Sequence, residues 1–557
     1  MKASHHHTIR WKVRKEYEEI LSSHTLNRII NLEDLEEHRV VRTLPSRTVR
    51  YLKLSLPGIP ALYLKEYNLP SLLDSIKSMF LSPAEREYRT AQKLTERNVP
   101  TFTPLAVGSV RRYGLFKKNY LVSKSIDNAI SLKEYLNNYS PIQSGSNAEE
   151  KNRIVAGLAQ FVKDLHGKGV LHQDFHWGNI LIEKGREGSI RFYLMDLQRV
   201  KLKSKLTDRQ KVKNLASLNT GFSQKVRRAE RLKFIKAYLE GDRKREEHSA
   251  RLSRLTEKTT YKMVKKQWQR RDKRCLKNNK YFAPFKSGSL RGFINRDFHG
   301  PELSELLGNP DRPFSETTRT IIKDSHTTSS CSLPLKIAGE KVELHIKRYN
   351  YQSIFYSLKN LLRASRGKRV WKAAHGLRTR SIPVPEPVAF LEERRGRFLV
   401  KSYFITRMID HSLPLVTLLK HGLAGTTAGA LTHKNSLIQE VAQLVRTMHE
   451  RGISHGDLKS ANILVQKTPS QNEKCYLVDL DRASIKKRGK KEFVIRDLAR
   501  LNASLLDTKI VSTPDRLRFL KYYLRVHKTG DQKAREYWQA IAVHTQKKLK
   551  KSGRKFT

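Results

Sequence analysis

One pattern occurs twice in this chain of 557 residues. HQDFHWGNILI begins at His172 and HGDLKSANILV at His455. In each, an aspartate (Asp174, Asp457) is followed five residues later by an asparagine (Asn179, Asn462) and an apolar run. Seventeen residues after the asparagine stands a second aspartate (Asp196, Asp479). One offset, 283, relates the two copies and also joins Pro100 to Pro383, Tyr120 to Tyr403, Asp127 to Asp410, His166 to His449 and Asn219 to Asn502, with no gap. A unit of this size is far too long for a solenoid repeat, so each copy is expected to be a whole domain and the chain two similar domains in tandem.

Length and composition fit that division, since 38% hydrophobic residues suffice to fill globular cores. No stretch approaches eighteen uncharged apolar residues, and the start, MKASHHHTIRWKVRK, has no apolar segment behind its basic residues. Neither a spanning helix nor a secretory signal is therefore expected, and the chain should remain in the cytoplasm. Cys275, Cys331 and Cys475 are far apart and lack C-x-x-C spacing, which argues against a disulfide framework or structural zinc. The His5 to His7 tract reads as solvated polar residues rather than a metal site.

Charge is the second strong signal. Lys and Arg number 110 against 53 Asp and Glu, a formal +57. Such a field attracts polyanions: nucleic acid, an anionic membrane leaflet or a phosphorylated glycolipid. No nucleic-acid-binding signature accompanies the charge, so nucleic acid is the unlikely partner. The excess concentrates in residues 243 to 280, which look helical, and in the tail KKLKKSGRKFT from Lys547, which reads as disordered.

The spacing of the repeated acids carries chemistry. Phosphoryl transfer requires positioning and charge neutralisation more than covalent steps, and protein kinases use D-x-x-x-x-N followed by a further aspartate for that purpose. The first acid aligns the attacking hydroxyl, while the asparagine and second aspartate hold magnesium. A lone D-x-x-x-x-N arises by chance or from helix capping. Two copies at identical spacing to a third ligand outweigh the alternative of two turns that merely look alike.

Upstream, alternating strand-like runs end in LYLKEYN and LHIKRYN, whose Lys65 and Lys347 stand where an ammonium would reach the α and β phosphates of ATP. Strands are also expected at RTVRYLKLSL, TRTIIKDS and SCSLPLKI, with a turn at Pro57-Gly58, whereas Ile9 to about Glu37 shows helical spacing. The helix PAEREYRTAQKL then offers Glu87 to hold Lys65, with Glu85 on a different face. In the second copy the matching residue is Val370. Either another acid holds Lys347 or that site binds nucleotide weakly. Neither copy has G-x-G-x-x-G ahead of its lysine, which counts against an ordinary protein kinase. Two residues after the first aspartate the copies differ: Lys459 can neutralise a migrating phosphate as a point charge, His176 only in part near neutral pH. His166 and His449 read as packing or hydrogen-bonding residues, and His172 and His455 as supports of the turns.

These residues resemble the bacterial lipopolysaccharide core kinases, which phosphorylate Kdo or heptose and belong to the protein-kinase-like superfamily. The likeness rests on LYLKEYN, REYRTAQKLTERNVPTFTPLAVG, HQDFHWGNILI, YLMDLQRV and RLKFIKAYL in the first half. In the second half it rests on HIKRYN, RVWKAAHGLRTRSIPVPEPVAF, YFITRMID, HGDLKSANILV, YLVDLDRA and RLRFLKYYL, and RRDKRCLKNNKYF joins the two. It implies an α+β fold of two tandem protein-kinase-like bilobal domains, each with a small β-rich N-lobe and a mainly helical C-lobe. It also implies Asp174 and Asp457 as catalytic acids, Lys65 and Lys347 on the phosphates, and Asn179, Asp196, Asn462 and Asp479 on magnesium. ATP and Mg2+ are the expected cofactors. The expected partners are a lipopolysaccharide core or lipid A precursor and the anionic inner face of the inner membrane.

The expected domains are 1–290, including the basic helix at about 243–280, then 291–546, then a disordered tail 547–557. Two kinase units are fused where the family usually has one, and both are expected to be intact because all three acid and amide positions survive in each. The rival readings are an atypical protein Ser/Thr kinase and a catalytically inactive scaffold at a membrane.

Overall fold

The computed structural model describes residues 9–33, 35–68, 81–113, 115–138, 148–185, 188–222, 226–315, 321–337, 339–350, 364–396, 398–422, 428–467, 473–485, 491–506, 510–525 and 532–551. The His5 to His7 tract and residues 552–557 of the tail lie outside them. The chain divides into two compact units, Met1–Lys265 and Lys266–Thr557. That division falls within the helix Arg245–Asp272, ahead of the boundary expected between residues 290 and 291. The hairpin Phe282–Ser287 and Leu290–Asn295 belongs to the sheet of the second unit.

Each unit is α+β with a strand-rich lobe and a helical lobe. In the first, six antiparallel strands run in the order Arg10–Val13, Pro104–Arg112, Leu115–Lys124, Ile59–Asn68, Arg47–Leu56, Glu37–Leu44. Alternation fixes which side of the sheet is buried, and Leu52, Leu54, Leu62, Leu64 and Val122 meet Leu21, Leu26 and Ile29 in one core. The helical spacing read from Ile9 onward holds only for Ser23–Asn31. Arg10–Val13 is an edge strand instead, because Trp11 lies opposite Gly108 and its ring fills the space where a side chain at Gly108 would stand. In the second unit seven strands follow the order Phe282–Ser287, Leu290–Asn295, Pro387–Arg395, Phe398–Arg407, Glu340–Asn350, Thr328–Ile337, Ile321–Lys323.

The helix after the lysine strand forms for local reasons in both units. Ser82 Oγ accepts from Glu85 N at 3.1 Å and proline occupies the first turn of Pro83–Glu96, which buries Ala84, Glu87, Tyr88, Ala91 and Leu94 at helical spacing. Ser365 caps Arg366–Thr379 in the same way, at 3.0 Å to Lys368 N.

In the helical lobes, Ala148–Gly167 and Ala428–Glu450 pack beneath the paired turns, and the cores around Leu158, Val162 and Leu215 or Val441, Val445 and Leu498 are closely similar. A late helix is hooked on by matched hydrogen bonds in each unit, among them Asn219 Nδ2 to Thr260 Oγ1 at 3.0 Å and Asn502 Nδ2 to Thr545 Oγ1 at 3.1 Å. That second helix is Gln532–Lys551, so residues 547–551 are helical rather than part of a disordered tail. Among the described residues no helix is long and apolar enough to cross a membrane.

Candidate active site

Two short two-stranded pairings build the site in each unit. Val170–His172 pairs with Val200–Leu202, and Ile180–Lys184 pairs with Ile190–Leu194, which sets the turn carrying Asp174 beside the loop carrying Asp196. Met195 N donates to Asn179 O at 2.9 Å, and Asn179 Nδ2 donates to Asp174 O at 3.0 Å. His172 locks the turn: its Nδ1 accepts from Asp174 N at 3.1 Å, leaving Nε2 to donate to Met195 O, also at 3.1 Å. Burial lowers its pKa and favours that neutral form. The second unit shares three of these bonds, Val478 N to Asn462 O at 3.0 Å, Asn462 Nδ2 to Asp457 O at 2.9 Å, and His455 Nε2 to Val478 O at 3.0 Å, but not the one to the histidine Nδ1.

What supports the turn from below differs. Asp497 accepts from His455 N at 2.8 Å, Gly456 N at 2.9 Å and Ser454 Oγ at 2.8 Å. Burial alone would raise the Asp497 pKa, but the hydrogen bonds from His449, Ser454 and Gly456 hold it below the usual carboxylate range. The first unit has Asn214 there, which donates to His172 O at 2.8 Å. His166 and His449 are buried and meet Tyr238 and Tyr523 hydroxyls at 2.8 and 2.9 Å, as expected of packing residues.

Asp196 and Asp479 both adopt left-handed backbone, each at φ 56. An aspartate in that region costs about 1–2 kcal/mol, and its occurrence at the same place in both units marks a position held by its surroundings. Both carboxylates already face a cation. Arg47, just past the first hairpin turn, places its NH1 3.1 Å from Asp196 Oδ1 and its NH2 3.4 Å from Oδ2. Lys347 Nζ lies 2.6 Å from Asp479 Oδ1. Burial pushes both carboxyls up, and the adjoining guanidinium or ammonium more than reverses this, so both lie below the usual carboxylate range.

The lysine strands deliver Lys65 and Lys347 to the same region. Lys65 Nζ sits 2.5 Å from Glu87 Oε1, the acid expected from the helix, and Glu87 is fully buried. The other oxygen of Glu87 accepts from the Tyr67 hydroxyl, and Leu197 N reaches Oε1 at 3.3 Å. Val370 in the second unit is buried among apolar neighbours. The acid there is Asp481: Oδ1 receives Lys347 Nζ at 3.1 Å and Tyr349 OH at 2.6 Å, and Oδ2 receives Arg366 NH2 at 2.9 Å. The aligned copies hold a signal for this residue, since DLQR became DLDR where the helix lost its glutamate.

His176 and Lys459 are not equivalent. Lys459 Nζ stands 3.0 Å from Asp457 Oδ2. His176 instead turns onto its own loop, its Nδ1 accepting from Gly178 N at 3.0 Å, so it caps Trp177–Asn179 and is not placed as a cation beside Asp174. Among the described residues Arg199 pairs with that acid, its NH1 at 3.8 Å. Around Asp457 the charges of Arg500, Lys459 and Arg482 all act on Lys548, whose pKa is lowered first by burial and then by Arg500.

The donor set suits a hard divalent cation. Asn179 and Asn462 spend their amide nitrogens on the turn, which frees the oxygens, and the paired aspartates occupy the charge-compensated positions described above. Among the described residues no cluster of three or more His, Cys, Asp or Glu gathers. An asparagine and an aspartate per unit match a magnesium ion that takes its remaining ligands from phosphate and water.

The family profile described as Lipopolysaccharide kinase (Kdo/WaaP) matches residues 75–238 and 337–523. Lipopolysaccharide core heptose(I) kinase WaaP of Escherichia coli is 24% identical over 199 residues, 33% of this chain and 73% of that one. A 3-deoxy-D-manno-octulosonic acid kinase of Haemophilus influenzae is 28% identical over 106 residues, 19% of this chain and 40% of that protein. The solved structure of WaaP in complex with acyl carrier protein aligns over 46% of this chain and 99% of its own, at 19% identity and a TM-score of 0.35.

Proposed function

The chain belongs to the lipopolysaccharide kinase (Kdo/WaaP) family, and from that premise we propose that it is an ATP-dependent phosphotransferase with two sites. The acceptor is a hydroxyl of an inner-core sugar of lipopolysaccharide, Kdo or heptose. The observation that carries the reading is the repeated constellation of aspartate, asparagine, left-handed aspartate and strand lysine, assembled twice by the same strand pairings.

In this reading Lys65 and Lys347 bind the α and β phosphates, held by Glu87 in the first unit. Asn179 with Asp196, and Asn462 with Asp479, hold magnesium, which neutralises phosphate charge when bound. Asp174 and Asp457 orient the sugar hydroxyl and take its proton as its oxygen bonds to the γ-phosphorus and ADP departs. Lys459 stabilises the transferring phosphoryl group in the second unit, a role that Arg199 rather than His176 fills in the first. The basic surface holds the enzyme peripherally on the anionic cytoplasmic face of the inner membrane, next to its lipid-linked acceptor.

Transfer of label from γ-labelled ATP to purified core lipopolysaccharide tests this. Asp174→Asn and Asp457→Asn should each remove part of the incorporation, and the double variant should lower it by about a hundredfold or more. A folded double variant that labels the acceptor at the parental rate would refute the reading. Labelling of a basic peptide with indifference to the glycolipid would move the acceptor to protein.

A further inference from the structure

One carboxylate ties three elements together in each unit, fully buried as Glu87 in the first and partly buried as Asp481 in the second, and it comes from a different element. In the first unit Glu87 belongs to the helix Pro83–Glu96. It reaches Lys65 and Tyr67 on the strand Ile59–Asn68 and the backbone N–H of Leu197 on the loop after Asp196. In the second unit Asp481 belongs to that loop. It reaches Lys347 and Tyr349 on the strand Glu340–Asn350, and Arg366 on the helix Arg366–Thr379.

The same tyrosine position is engaged in both. Where Asp481 accepts from Tyr349, the residue at its place in the first copy, Gln198, hydrogen-bonds Tyr67. The helix-to-loop link has changed sign: a helix carboxylate receiving a loop N–H becomes a helix guanidinium donating to a loop carboxylate. Two substitutions, Glu87 to Val370 and Gln198 to Asp481, exchange the element that bears the charge and keep the lysine paired.

We propose that Asp481, anchored by Arg366, is the positioning residue that holds Lys347 for nucleotide in the second unit, so that this unit is a working nucleotide site built on a rewired ion pair. The inference rests on the nucleotide-binding reading above and extends it to the copy that lacks the helix acid. It separates the two units in control as well. Lys65 is aligned only while its helix is docked, whereas Lys347 takes its acid from the loop that also carries Asp479, and its alignment follows that loop.

The test uses the full chain with the first site silenced by Lys65→Met and Asp196→Asn, and measures Mg·ATP binding calorimetrically beside thermal melting of each variant. The parent should bind one nucleotide, and Asp481→Asn should weaken binding by about tenfold or more, the loss expected for a charge-assisted hydrogen bond. Val370→Glu combined with Asp481→Gln rebuilds the arrangement of the first unit and should restore affinity to within about threefold, which a merely structural acid would not allow. Unchanged affinity in Asp481→Asn, or a swap variant no tighter than Asp481→Asn, would overturn the inference. So would a folded parent that takes up no nucleotide. That last result is distinguishable from failure of the functional reading, because transfer by the first unit is measured separately in the Asp457→Asn chain.

Discussion

Arg47 holds the aspartate that a magnesium ion would need. Its guanidinium spans both oxygens of Asp196 from the hairpin that, in a protein kinase, would carry a glycine-rich cover over the phosphates. If Asp196 holds magnesium as proposed, a cation from the chain and a cation from solution would compete for one carboxylate in the first unit, while in the second the competitor would be Lys347 itself. Since Arg47 and Asp196 are partly buried, their pairing is worth more than an exposed ion pair, about 1 kcal/mol. Arg47→Gln should accordingly lower the free Mg2+ needed for half-maximal nucleotide binding by about fivefold, read in a chain whose second site is silenced by Lys347→Met. An unchanged or raised Mg2+ requirement would show that Arg47 does not compete for Asp196.

At the level of elements, matched helices are joined by matched contacts, and one of them is sensitive to acid. His166 ends the helix Ala148–Gly167 and meets Tyr238 at the end of Arg228–Tyr238. Burial holds its imidazole down to about 4, against about 6.5 in an unfolded chain. Between those values the unfolded state binds more protons than the native one, so stability rises with pH across the window. It is fully present above about 6.5 and is lost as pH falls toward 4. His166→Gln should flatten the pH slope of stability, by at most roughly 1.4 kcal/mol per pH unit, in urea melts at pH 5 and pH 7. Equal slopes in parent and variant would mean that His166 binds a proton as readily in the fold as in the unfolded chain.

For the molecule as a whole, duplication and charge are the governing facts. Two copies of one site share their acids and amides while the elements around them differ, at His176 against Lys459, Asn214 against Asp497, Glu87 against Val370 and Gln198 against Asp481. A formal +57 gives the chain an attraction for anionic surfaces that salt screens within about 10 Å at 0.1 M. Co-sedimentation with vesicles containing anionic phospholipid should therefore be strong at low salt, fall steeply by about 0.5 M, and be absent with neutral vesicles. Retention on neutral vesicles, or insensitivity to salt, would point to an apolar contact instead.

The sequence by itself determined the repeat and the bilobal α+β class, because these depend on spacing and on alternation, which survive in one dimension, and its motifs carried the resemblance to the family that the profile shows. Lys65 with Glu87, and the histidines that brace the turns, were legible for the same reason. Tertiary structure alone decided the rest. Arg10–Val13 is an edge strand because a tryptophan needs the gap over Gly108, a partner nearly a hundred residues away. His176 caps its own loop because its Nδ1 lies within reach of Gly178 N. Asp481, which joins Asp479 on Lys347 in place of a helix acid, lies 134 residues along the chain, and only folding of the loop back under the strand brings its charge to the ammonium.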